Sequence, residues 1–333
     1  PAHYNYVQYL AEQRRFPRVH SFELGGFSVE EMDEQARTIL GYAPEPKMVQ
    51  GLHQRTGGNA YFAHELLVAH KSGSDELPSS LVAFLTSRLE RLGPSEREVL
   101  RALAVAGGEA SHRLLAAMLP TLSIGPLLRS LFDSSTVLVD GTNYTLGHAL
   151  LREAILRDVL PFEAEELHLR AAEAIEADLD GAAAVNDLVE LAVHWDRAND
   201  PTRSLARSVQ AADAAAAVAA YETAADMSLQ ALRAWPAASD AEAVAGVGRY
   251  ELLLRAAEWL AGCYRGSEAV SLINDALDGW ASNVTDGRRA LLLARMVPIE
   301  FNLGNPDRAG DLLAEAEHLV GDEVSAEAAQ VHH

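Results

Sequence analysis

The sequence predicts a mainly α-helical protein in three parts. A group of short helices comes first, then a winged-helix-like domain with one β-hairpin, then tetratricopeptide-like α-helical repeats. Three observations predict this. Hydrophobic residues make up 49% of the 333 residues but aromatics only 6%, with Ala and Leu dominating, the residues that cost least in a helix. One strong hairpin signal, Asp140-Gly141 in "TVLVDGTNYTL", interrupts the helical pattern. A small-residue stripe, Ala-x3-h-x2-Ala, recurs three times after residue 220, as stacked helix pairs sharing one core require.

Length and charge bound the functions. A chain of 333 residues has room for two or three domains. A net charge of −21 repels DNA and anionic membranes over most of the surface. No direct DNA binding by this chain and no membrane contact are therefore expected. The single cysteine, Cys263, cannot form an internal disulfide, and no signal peptide or run of 18 apolar residues is present. A cytoplasmic location is the expectation.

"RVHSFELGGFS" (18–28) reads as a strand and a turn, preceded only by the helical stretch "YVQYLAEQRR". A lone strand leaves its backbone groups unsatisfied, so the chain is expected to begin inside a domain. In "GFSVEEMDEQARTILG", Ser28 and Glu31 have capping-box spacing, Phe27 and Met32 suit a hydrophobic staple, and Gly41 closes the helix. A second helix spans Pro46 to Arg55, a Gly57-Gly58-Asn59 break follows, and a third helix runs from Ala60 to His70.

That break invites a phosphate-loop reading, which needs G-x-x-x-x-G-K-[ST]. The chain has two lysines: Lys71 follows His70, with Glu65 where the first glycine belongs, and Lys47 follows Pro46. No Walker A motif exists here. Gly57-Gly58 also follows a helix rather than a strand, so it is no dinucleotide fingerprint. By motif alone it is a break between two helices.

"ELPSSLVAFLTSRLERLGP" is an amphipathic helix with apolar Leu81, Phe84, Leu85 and Leu89, stopped at Gly93-Pro94. "SEREVLRALAVAGG" is expected to open on a capping box, Ser95 to Glu98, and to end on Gly107-Gly108. Two short helices, "SHRLLAAMLP" and "IGPLLRSLFDSS", precede the hairpin, and "HALLREAILRDVLP" follows it. Helices, a hairpin and a further helix describe a winged-helix-like module. The acidic balance favours protein packing over DNA binding.

From 163 onward the pattern is nearly all helix. The stripe appears at Ala224/Ser228/Ala231, Ala269/Ile273/Ala276 and Ala309/Leu313/Ala316, at intervals of 45 and 40 residues. These exceed the usual spacing of about 34, so extended turns are expected. Pro236 follows the first copy, Gly304-Asn305-Pro306 punctuates the last helix pair, and more repeats are expected beyond the chain.

No metal or catalytic constellation emerges. There is no H-E-x-x-H or C-x-x-C, and His64 and His70 lie on different helical faces. His168, His194 and His318 read as packing or surface residues. No catalytic residues are assigned.

Taken in order, "RTGGNAYFAHELL", "LPSSLVAFLTSRLERLGPSEREVLRALAVAGG", "YTLGHALLREAILRDVLP" and "LAVHWDRANDPTRSLARSVQAADAAAAVAAYETAADMSLQAL" resemble the signal-transduction ATPases with numerous domains (STAND) over about residues 15–320. Within that class the chain looks like the large ATP-binding LuxR-type regulators near the maltose-regulator group. The resemblance implies that residues 1–26 end a nucleotide-binding core, 27–75 form a helical lid, 76–162 a winged-helix-like domain and 163–333 the sensor repeats.

The resemblance also implies site residues. Gly58, Asn59 and Ala60 match the lid's Gly-Asn-Pro, whose proline packs on adenine, and Ala60 replaces that proline. Tyr61 and Phe62 match an aromatic pair of the lid core, and Arg55 is placed to approach phosphates. His148 takes the position of a histidine that reaches the β-phosphate, with Ala149 where many relatives carry Asp. The implied cofactor is ATP/ADP in the complete protein, with Walker motifs upstream and a helix-turn-helix downstream. This chain alone would neither hydrolyse ATP nor bind DNA, and its parent would be a slow ATPase switch. A small-molecule or protein inducer acting on the repeats would favour opening and self-association. The alternatives are a protein-interaction scaffold, or the same module regulating an attached adenylyl cyclase or kinase.

Overall fold

The computed structural model describes residues 24–74, 76–179, 183–279 and 285–320. These contain seventeen α-helices and one small sheet of three strands. The strand and helix expected before residue 24 lie outside the described residues. The described residues form two compact units: those up to Ala110 together with Ile124–Asp158, and Ser111–Ser123 together with those from Val159 onward.

The first unit opens with α1 (Val29–Leu40), α2 (Pro46–Thr56) and α3 (Ala60–Lys71). The capping box of α1 forms in both directions: Glu31 N–H donates to Ser28 Oγ at 3.2 Å, and Ser28 N–H to Glu31 Oε2 at 2.8 Å. Gly41 closes the helix at φ +83°. The three helices bury Met32, Val49 and Ala63 with Phe27 and Leu52, and Ala36, Leu40 and Leu67 beside Ile39 and Met48. Fully burying a side chain such as Met32 or Leu67 contributes about 1.5–3 kcal/mol.

Next come α4 (Ser79–Leu89) and α5 (Pro94–Val105). Leu81 and Leu85 are buried, whereas Phe84, expected on the apolar face, is 45% exposed. The capping box expected at Ser95 and Glu98 does not form, because α5 starts at Pro94 with Gly93 as its N-cap. Proline suits the first helical position, where its missing N–H costs nothing, and Ser95 then falls inside the first turn.

Strand β1 (Glu109–Ser111) was not expected, since Gly107-Gly108 reads only as a helix stop. After α6 (His112–Met118), in the second unit, and α7 (Ile124–Asp133), strands β2 (Val137–Asp140) and β3 (Asn143–Leu146) pair antiparallel. The strand order is β1-β3-β2, and Leu146 N–H reaches Gly108 O at 2.9 Å. Asp140 pairs with Asn143, so the tight turn is Gly141-Thr142, one residue beyond the expected Asp140-Gly141. Gly141 has φ +58°, the positive value that a first turn position requires here. Helix α8 (Ala149–Asp158) packs on α2, α4 and α5.

In the second unit, α6 packs on α9 (Pro161–Asp178). There follow α10 (Val185–Arg197), α11 (Pro201–Ala217), α12 (Tyr221–Ala234), the short α13 (Ala241–Ala245), α14 (Arg249–Gly262), α15 (Gly266–Gly279), α16 (Asp286–Asn302) and α17 (Pro306–Val320). Apart from α13, each of these helices packs on the next, which gives the expected tetratricopeptide-like stacking. Pro236 lies in a 3-10 turn, Trp235–Ala237, that ends α12. No helix among the described residues is long and apolar enough to cross a membrane.

The small-residue stripe forms the seams. Ala224, Ser228 and Ala231 are fully buried, as are Ala269 and Ile273. Ser228 fits a buried position because its hydroxyl donates to Ala224 O at 2.8 Å. The third copy differs: Leu313 is 37% exposed, and Leu312 is 1% exposed. The buried stripe of α17 is Ala309, Leu312, Ala316 and Val320, a face turned to α16 on which Leu313 is only a shoulder.

Two buried polar contacts join helices early in the stack. His168 Nδ1 and His194 Nδ1 lie 2.9 Å apart, between α9 and α10; one ring must donate and the other accept. Gln230 Nε2 on α12 donates to Ala192 O on α10 at 2.9 Å and to Ser208 Oγ on α11 at 3.0 Å. Farther along, Arg265 bonds Glu268 and Asp226, which hold its guanidinium charged above its ordinary range, Glu268 contributing most.

Leaving aside those beside α13, four of the described inter-helix turns of the stack carry a left-handed residue, and only one of these is glycine. Asn199, Ala219 and Tyr264 have φ of +57°, +59° and +64°, and Gly304 follows suit at +85°. Tyr264 is also fully exposed, so its side chain gains nothing from burial to offset the backbone cost. Tyr264→Gly is expected to raise stability by about 1 kcal/mol, read as a higher denaturation midpoint at unchanged slope. A lower midpoint would refute that accounting.

Candidate functional site

The site begins with two glycines. Gly57 is the left-handed cap of α2, at φ +59°, with its N–H on His53 O. Gly58 has φ +77°, and a methyl group there would lie 2.7 Å from Phe27 O and 3.1 Å from Phe27 N. Both the backbone conformation and the close approach therefore demand glycine. Phe27 N–H donates to Gly58 O at 2.7 Å, and His53 Nε2 lies 2.9 Å from Phe27 O. A carbonyl only accepts, so His53 carries its proton on Nε2. The Gly-Gly break is thus a backbone clasp between the start of the unit and the α2–α3 turn.

Asn59 is the N-cap of α3. Its Oδ1 accepts from Tyr61 N–H at 3.0 Å and Phe62 N–H at 3.2 Å, so these two amides are already engaged within the protein. Ala60 turns its carbonyl to Gln35 Nε2 of α1, at 3.0 Å.

Arg55, in the last turn of α2, grips Glu153 of α8 with two hydrogen bonds. Nε reaches Oε1 and Nη2 reaches Oε2, each at 2.7 Å. Both side chains are about a third exposed (35% and 37%), and at such exposure an ion pair contributes about 1 kcal/mol or less. His148 immediately precedes α8. Its ring stands edge-on to Phe62, with centroids 5.7 Å apart and planes at 88°. A methyl group on Gly57 would come within 3.9 Å of His148 Nδ1.

The structure therefore brings His148 to the Gly57 turn and to Phe62 of α3, while Arg55 ties the end of α2 to Glu153 farther along α8. Ala60 is held toward α1 instead. The donor set suits an anion of phosphate type: an imidazole able to donate, neutral or charged, and a guanidinium. The guanidinium arrives already paired, so a phosphate would compete with the Glu153 carboxylate.

Three features escaped the sequence reading. Glu153 lies five residues after His148 in "HALLREAI", and nothing in that string marks it as the partner of Arg55. The resemblance places Tyr61 and Phe62 together in the lid core, yet Tyr61 is 48% exposed and Phe62 2%; the helical angle between adjacent residues separates them. The exposure of Phe84 is the third.

No protein-family model matches the chain. Over 131 residues, 36% of the chain, it is 37% identical to an uncharacterized protein of Rhizobium meliloti, of which it covers 12%. Among solved structures it is similar to a Signal Transduction ATPase with Numerous Domains with a tetratricopeptide repeat sensor, from Pyrococcus horikoshii. That likeness has a TM-score of 0.43 and 14% identity, over 89% of this chain and 42% of that one. The chain spans less than half the length of either protein. A likeness of this size leaves the site to stand on its own geometry.

Proposed function

We propose that this chain is the regulatory part (lid, winged-helix-like domain and sensor repeats) of an ATP/ADP-switched bacterial transcriptional regulator of the STAND class and LuxR type, acting in the cytoplasm. The observation that supports it most is the approach of His148 to the Gly57 turn, with Arg55, two residues before that turn, held on Glu153 of the helix that His148 begins. In this reading His148 donates to a nucleotide phosphate, and Arg55 exchanges its Glu153 partner for phosphate oxygens. The phosphate loop comes from another segment of the parent protein, because the chain has no Walker A sequence. The helical repeats bind a protein or small-molecule inducer or a second copy. Such an inducer shifts the switch only by binding the open form better than the closed one.

Nucleotide content tests this. The natural full-length protein, purified and denatured, is expected to release about one ADP per chain, and His148→Ala to release much less, through loss of a phosphate hydrogen bond worth about 1.5–3 kcal/mol. A folded protein that releases none from either form would overturn the reading in favour of an interaction scaffold.

A further inference from the structure

Two aromatic rings stand half-exposed beside this site, and neither is explained by the core. Tyr61, in the first turn of α3, is 48% exposed and Phe84 of α4 is 45% exposed. Their rings meet edge-to-face at 6.3 Å, with planes at 67°. Both rest on buried Phe62, at 6.2 Å and 6.0 Å. Ser80 of α4 hydrogen-bonds Glu65 of α3, which ties together the two helices that carry the rings. The pair is thus set before any ligand arrives.

We infer that Tyr61 and Phe84 form an angled aromatic platform, one ring stacking and the other edge-on, for the purine base of the nucleotide whose phosphates lie at His148. The inference rests on the nucleotide reading above. Three observations carry it. A flat, polarizable base gains from accessible aromatic rings held in fixed positions; both rings are about half exposed, and their planes, 67° apart, let a base lie flat on one and meet the other edge-on. The α3 amides of Tyr61 and Phe62 are taken by Asn59, so this end of the site offers ring surface rather than phosphate contacts. Finally, Phe62 touches both Phe84, at 6.0 Å, and His148, at 5.7 Å, so ring platform and imidazole lie two ring contacts apart, a spacing suited to the base and phosphates of one nucleotide. Ala60, which has only a methyl group, leaves the base contact to these neighbours.

The test compares ADP with inorganic pyrophosphate, by calorimetric titration of the nucleotide-free full-length protein. Tyr61→Ala and Phe84→Ala are each expected to weaken ADP about five- to hundred-fold while leaving pyrophosphate unchanged, and Tyr61→Phe is expected to bind ADP like the unaltered protein. Three results would overturn the platform: ADP bound equally by all variants, pyrophosphate weakened in step with ADP, or Tyr61→Phe losing as much as Tyr61→Ala. Failure of the unaltered protein to bind either probe is a different result, and removes the nucleotide reading along with the platform.

Discussion

Gly58→Ala is expected to cost about 2–5 kcal/mol of stability, from left-handed backbone strain and overpacking together. The two terms arise separately. At φ +77° an alanine is strained whatever its surroundings, and its methyl would also meet Phe27 O at 2.7 Å. Relief requires the Gly26–Phe27 backbone to retreat. That would break the 2.7 Å bond from Phe27 N–H to Gly58 O and the 2.9 Å contact of His53 with Phe27 O. Gly57→Ala is the matched control. It shares the left-handed conformation, at φ +59°, but its methyl meets nothing closer than 3.9 Å, so its cost is about 1 kcal/mol. Chemical denaturation of both variants checks this. Equal midpoints would mean that the clasp contributes nothing.

Leu312→Ala is expected to cost about 2–5 kcal/mol, and its neighbour Leu313→Ala about 1 kcal/mol or less. Leu312 is 1% exposed in the core shared by α14, α15, α16 and α17, whereas Leu313 is 37% exposed. Deleting the buried side chain leaves a cavity that the fixed helices close only in part. Thermal or urea unfolding of the two variants decides the matter, and a larger loss at Leu313 would restore the stripe first read from the sequence.

These cases show what the sequence carries. Helix starts with an explicit chemical signature were legible: Ser28 with Glu31, Asn59 before an apolar run, Pro46 at a first helical position. Signals that compete were not. Ser95 has capping-box spacing, but Pro94 takes the helix start and displaces it. The i+3 and i+4 neighbours of Ala309 share a helical face, so choosing between Leu312 and Leu313 needs the direction of α16. Left-handed Ala219 and Tyr264 carry no glycine to announce a turn.

At the candidate site, it is the resemblance that picks out His148 and Arg55, since residue type and spacing alone read as a packed histidine and a solvated helix end. The pairing of Arg55 with Glu153 spans 98 positions, and His168 with His194 spans 26; contacts between helices leave no local trace in one sequence. By motif the glycine pair reads as a break between two helices, and only the approach of Phe27 shows what demands Gly58.

The polar contacts among α9, α10, α11 and α12 bear on how the repeat stack deforms. Moving one helix past another by a turn, about 5.4 Å, would part His168 from His194 or strip Gln230 of Ala192 O and Ser208. Each buried group left unmatched costs about 1–3 kcal/mol. The core of α14 to α17 is made of alkyl side chains such as Ile273, Leu292, Met296 and Leu312, whose contacts slide by small steps without an equivalent penalty. Sliding is therefore expected to be resisted most among the first four helices of the stack and to come at lower cost in the last four.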